Sequence, residues 1–183
     1  MSYKYREDKA TQIAALFLEL GGGEMDIIKL VKLIYLAERE AIVRWGRPII
    51  FDSYCSLPHG PVTSITLNLM NSTLDIEPST YWHKYIAERD GHCIKLTGEK
   101  APKDQLSKAE EGLVDEIFRE YGRMDKWQLR DLTHKLPEWK DPDGSSLPIP
   151  MSEILAAEGF TKDDIEGIES ALATEEAAQA LIG

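Results

Sequence analysis

The sequence predicts a mainly α protein: a compact helical domain around a buried central helix, with a small antiparallel β-hairpin. Three observations carry this. The segment from about Met25 to Trp45 is apolar on nearly every side, through Ile27, Ile28, Leu30, Val31, Leu33, Ile34, Leu36 and Ala37. A helix of that kind is buried at the centre of its domain. Apolar residues also recur at helical spacing before and after it. Asp90-Gly91 separates two short apolar runs, which is a hairpin signal.

In chain order, Ile13, Ala14, Phe17 and Leu18 form the inward face of a first helix, which Gly21-Gly22-Gly23 stops. The central helix follows and ends at Gly46 and Pro48, a C-terminal glycine and then a residue that cannot continue the helix. Ile49 to Tyr54 reads as an optional strand. Pro61 suits the first position of the next helix, whose inward face is Val62, Ile65, Leu69 and Met70. Tyr81 to Ile86 and His92 to Leu96 are read as the two hairpin strands. Ser107 and Glu110 form a capping box for a helix carrying Leu113, Val114, Ile117, Phe118 and Tyr121. Trp127, Leu129 and Leu132 mark a shorter helix ended by Leu136-Pro137. Asp141 to Pro150 is predicted as a surface loop and Met151 to Glu158 as one or two helical turns. Thr161 and Asp164 cap a last helix with Ile165, Ile168 and Leu172, and the chain after Thr174 is expected to fray. The whole chain, 1–183, is read as a single domain.

The chain has 183 residues and a net charge of −11. No basic stripe is present, and phosphate binding needs clustered Lys and Arg, so no direct nucleic-acid binding is expected. An acidic surface favours solubility and encounter with a basic partner. No apolar run approaches a membrane span, and the polar first ten residues do not read as a signal peptide. Cys55 and Cys93 are expected to be reduced, buried thiols, and the expected location is cytoplasmic.

The residues between the central helix and the next one, rich in Gly, Pro, His and Asp, mark a loop of specified shape. Zinc is disfavoured, because adjacent His92 and Cys93 point to opposite faces of a strand. Pro58 disfavours a helical turn that would join Cys55 to His59. An Asp52–His59 acid–base pair is the remaining enzymatic reading. Glu38 and Glu40 read as surface ion-pair residues. No catalytic residue, metal ligand or cofactor is assigned. His59 lies just before the expected helix start, where free N–H groups could take an anion such as a partner's carboxylate. The alternative is that Asp52, Tyr54 and His59 bond one another and the loop backbone. His134 sits in a last helical turn, and Trp139 is either a core plug or an exposed anchor.

Three stretches, K-L-I-Y-L-A-E-R (32–39), G-R-P-I-x-x-D-x-Y (46–54) and H-G-P-V (59–62), together resemble the Panacea domain, also called the SocA-like antitoxin domain. The segment D-L-T-H-x-x-P-x-W (131–139) resembles that family's second signature. The resemblance covers about 9–139, and 148–183 reads as a helical C-terminal extension. It implies a mainly helical fold and an antitoxin, not an enzyme, that neutralises a cognate protein toxin by direct contact. Lys29, Lys32, Tyr35, Asp52, Tyr54, His59 and Pro61 lie in or beside the first pattern, and His134 and Trp139 in the second. All but Lys29 are the candidate partner-binding residues. A second reading is a proteolytic adaptor that presents a toxin or other client to a cytoplasmic protease or its unfoldase, with the Ala/Leu-rich segment Ala177 to Gly183 as its motivating feature.

Overall fold

The computed structural model describes residues 4–72 and 80–182. Among them are eight helices and two small antiparallel sheets. The central helix α2 (Ile27–Trp45) is flanked by α1 (Glu7–Leu20), α5 (Lys108–Tyr121), α6 (Lys126–Thr133) and α7 (Met151–Ala157). Asp26 opens it by accepting the Ile28 N–H at 2.9 Å. Gly46 closes it at φ 65°, its N–H bonded to the Ile42 carbonyl. Thirteen of the residues from Ile27 to Ile42 are buried, including Lys32, Glu38 and Arg39. The predicted submerged helix is therefore present, and it takes charged groups inside with it. Among the described residues no helix is long and apolar enough to cross a membrane.

Two sheets frame the helix. The first pairs β1 (Glu24–Asp26) with β4 (Cys93–Lys95). The second has the order β3-β2-β5, from β2 (Tyr54–Leu57), β3 (Gly60–Thr63) and β5 (Leu147–Pro148). Its hairpin turns through Pro58 and His59, and Gly60 follows at φ +102°, which a side chain rarely tolerates.

Several expectations are corrected. Tyr81 to Ile86 is no strand: residues Thr80–Tyr85 form helix α4. Trp82, Tyr85 and Ile86 are buried at i, i+3 and i+4, a helical period obscured by a short aromatic run. The turn itself is real, with Asp90 and Cys93 exchanging backbone bonds and Ile86 bridging Leu96. The partner of β4 is the distant β1, so the central helix begins at Ile27 and not at Met25. Pro61 does not start a helix. It lies in β3, opposite Ser56 at the sheet edge, where a missing N–H is tolerated. Helix α3 (Ser64–Asn71) starts three residues later. The strand sought at Ile49 to Tyr54 begins only at Tyr54. The loop Asp141 to Pro150 contributes β5, and the last helix, α8 (Lys162–Ile182), continues through the segment expected to fray. Gly183 lies outside the described residues. Cys55 is half-buried but Cys93 is exposed; both are free.

Candidate functional site

Tyr54, His59 and Pro61 belong to the β2–β3 hairpin, with His59 at its exposed tip; Lys32 and Trp139 bond its backbone, Tyr35 meets Tyr54 edge-on, His134 stacks on Trp139, and Asp52 turns away to α3. Lys32 of α2 is fully buried, and its Nζ donates to the Pro61 carbonyl at 2.8 Å. A Cβ at Gly60 would lie 2.8 Å from that Nζ, 2.9 Å from Thr133 Oγ1 and 3.1 Å from His134 Cδ2. Glycine is thus required twice here, for the backbone angle and for the close approach. Burial pushes the Lys32 ammonium down to about 7. His134 is also pushed down, by burial first and then by Lys32 and Arg130. Its Nε2 is buried without a hydrogen-bond partner.

The second signature clamps the hairpin from above. Trp139 donates its indole N–H to the Leu57 carbonyl at 3.1 Å, and its ring stacks on His134 with centroids 4.1 Å apart. His59 sits edge-on to Trp127 at 6.3 Å. Trp127 is 45% exposed and lies beneath Lys126 and Arg130.

Asp52 settles the question of the anion. Its Oδ1 accepts the Ile65 N–H at 2.8 Å, and its Oδ2 accepts the Thr66 N–H at 2.9 Å and the Thr66 hydroxyl at 2.6 Å. The free N–H groups at the start of α3 are therefore taken by the chain's own carboxylate. Burial raises the Asp52 pKa, and the bonds from Thr66 and Ile65 oppose that rise. With both oxygens turned to α3, Asp52 makes no bond to His59. The three loop residues do not bond one another: Asp52 serves the start of α3, Tyr54 bonds Glu38 and His59 meets Trp127 edge-on.

Glu38 corrects the surface reading of its position. It is buried, with Oε1 accepting the Ile49 and Ile50 N–H groups at 2.8 and 3.0 Å and Oε2 accepting the Tyr54 hydroxyl at 2.7 Å. Burial pushes its pKa up to about 7 against those three bonds. Glu40 does lie outside, bonded to Arg44. The Tyr35 hydroxyl donates to Glu138 at 2.9 Å, and Arg39 reaches the same carboxylate at 2.6 Å and Glu158 at 2.6 Å. Lys29 bonds the Gly122 carbonyl at the end of α5 at 2.7 Å.

Glu38, Arg39, Gly60, Thr133 and Glu138 were not singled out as site residues. Glu38 and Arg39 close the first quoted pattern, and Gly60 stands in H-G-P-V. Thr133 stands in the second signature, and Glu138 occupies a position read as variable there. Among the described residues no group of three or more His, Cys, Asp or Glu is placed to hold a metal.

The hairpin's outer side is different. Pro48 and Phe51 to Tyr54 face Pro148 to Met151 and, on α8, Glu169, Ser170, Leu172 and Ala173 across a cleft of about 1030 Å³. Phe51 lies on its floor at φ 53°, a conformation uncommon for a bulky residue.

No curated protein and no solved structure matches the chain. The family described as "Antitoxin SocA-like, Panacea domain" matches residues 30–140, from the central helix through the Trp139 clamp. That span holds every candidate residue and their buried carboxylate partners, and on it the chain belongs to the SocA-like antitoxin family with its Panacea domain.

Proposed function

We propose that the chain neutralises a cognate protein toxin by direct protein–protein contact and performs no bond-making chemistry of its own. The observation that supports this most is how the ionisable groups of the matched span are used. Lys32, Glu38, Arg39, Asp52 and Glu138 are all buried and bonded to the chain itself. The near-neutral Lys32 amine, the best nucleophile or base by chemistry, lies sealed beneath β3 with no exposed surface. The net charge of −11 suits a basic partner, and the expected setting is the cytoplasm. Co-expression with the product of a neighbouring gene tests the reading. A product toxic alone and harmless with this chain is the expected result; no such rescue would overturn it.

A proteolytic adaptor is the second reading. Leu181 and Ile182 at the end of α8 are 89% and 88% exposed, an apolar handle separate from the matched span. Deleting 177–183 should leave toxin binding intact and lengthen the toxin's half-life in cells. An unchanged half-life would remove this reading.

A further inference from the structure

We infer that the cleft between the Pro48–Tyr54 loop and α8 is the docking site for the partner toxin, and that it takes an apolar toxin segment flanked by Lys or Arg. The inference rests on the antitoxin reading and adds the surface and the chemistry of the segment.

The cleft is built for apolar contact. Pro48, Phe51, Tyr54, Pro148, Pro150 and Met151 supply rigid rings and one adaptable thioether. Its outer wall is α8, whose Glu169 lines the cleft and which bears five more acidic residues, among them Glu166 and Glu176, against a single Lys162. Apolar floor and acidic wall together select a segment with apolar anchors and basic flanks.

The charge also decides among occupants. A second copy of this chain would bring another strongly acidic surface to the same wall. The exposed Leu181 and Ile182 belong to the helix that forms the wall, so they cannot fold back into the cleft without breaking it.

The wall is lightly fastened. Among the described residues of α8 only Leu172 is buried. Ile168 rests on Gly46, and Arg47 joins Glu175 at 3.0 Å while its guanidinium lies over the Phe51 ring. Phe51 thus holds an unfavourable backbone angle where it faces the cleft. Strain of this kind concentrates at ligand clamps. The wall lies outside residues 30–140, so a shared core would carry a chain-specific docking surface.

The test uses the full chain with Ser170→Trp, which fills the cleft, and Glu169→Lys, which reverses charge on its wall. Both positions are exposed, and unchanged melting temperatures confirm the fold. The probe is a fluorescein-labelled peptide of alternating Leu and Lys, read by anisotropy, with a Leu–Glu peptide as its counterpart. The Leu–Lys peptide should bind, with affinity about ten-fold weaker for Glu169→Lys and lost for Ser170→Trp. Equal binding to all three chains, or equal binding of the Leu–Glu peptide, would overturn the proposal. So would a dimer of the wild-type chain that Ser170→Trp dissolves, which would assign the cleft to a second copy. In co-expression, Ser170→Trp should fail to rescue growth from the neighbouring toxin, while Trp127→Ala, outside the cleft, should rescue. Rescue by Ser170→Trp sinks the cleft and leaves the antitoxin reading standing. Absence of rescue by the wild type sinks the antitoxin reading, and the peptide binding then decides the cleft alone.

Discussion

Along the segment from Gly46 to Thr63, the inward and outward sides differ in how their polar groups are matched. On the inward side, Glu38 takes two backbone N–H groups and the Tyr54 hydroxyl, and Asp52 takes two more and the Thr66 hydroxyl. On the outward side, prolines and Phe51 line an open cleft beneath an acidic helix. Buried backbone groups must find partners, so the inward side is fixed by the energy of leaving any one unpaired. The outward side has no such internal demand. Motif residues can therefore specify the shape of a loop without being the residues that meet a partner.

The largest expected effect tests the inward side. Glu38→Ala would leave two N–H groups and a hydroxyl buried without an acceptor, and should cost on the order of 4 kcal/mol in urea unfolding. Glu38→Gln keeps an acceptor for the two N–H groups and should cost markedly less. Equal losses for the two variants would mean that volume, not hydrogen bonding, matters at this position.

Asp52→Ala should cost roughly 2–3 kcal/mol by uncapping α3. Amide exchange should accelerate first at Ile65 and Thr66. Uniform acceleration across the chain would contradict a local role.

Lys32 gives a pH signature. Its folded pKa, near 7, lies below the unfolded value of about 10.4. Between those values the unfolded chain holds a proton that the folded chain has released, so stability from this group rises with pH through the window. Below about pH 7 the charge is buried and the gain is absent. Urea titrations should show a rise on the order of 2 kcal/mol from pH 7 to pH 9, and Lys32→Met should flatten it. A slope unaltered by Lys32→Met would show that the amine keeps its proton beneath β3.

Ser170→Trp is expected to change stability least, by under about 0.5 kcal/mol, and to affect partner binding most. Were it instead the most destabilising substitution here, the contrast between the two sides would collapse.

Much of the fold was legible. The central helix, its glycine stop, the Ser107–Glu110 capping box and the Thr161–Asp164 cap all follow from local patterns, and each is present. The Asp125–Gln128 box has the same kind of pattern and passed unread. Tyr81 to Ile86 misled because six residues dense in aromatics satisfy both a strand and a short helix. The candidate residues other than Asp52 do gather around one hairpin, but the groups that bind them were harder to see. Glu138 looked like a variable position because nothing in its neighbours reveals Arg39 and Tyr35, about a hundred residues away in sequence.

The sequence by itself determined which helix is submerged, that Gly46 stops it, and that Ser107 and Thr161 cap two later helices. These depend on hydrophobic period, caps and residues with restricted backbone angles, and all of them act within a few positions. Only the tertiary structure decided that β1 meets β4, that β5 joins β2, that Glu38 lies inside while Glu40 lies outside, and that a cleft opens beneath α8. Those outcomes depend on which distant groups are brought within a few ångströms in the absence of water, and local pattern carries no record of that distance.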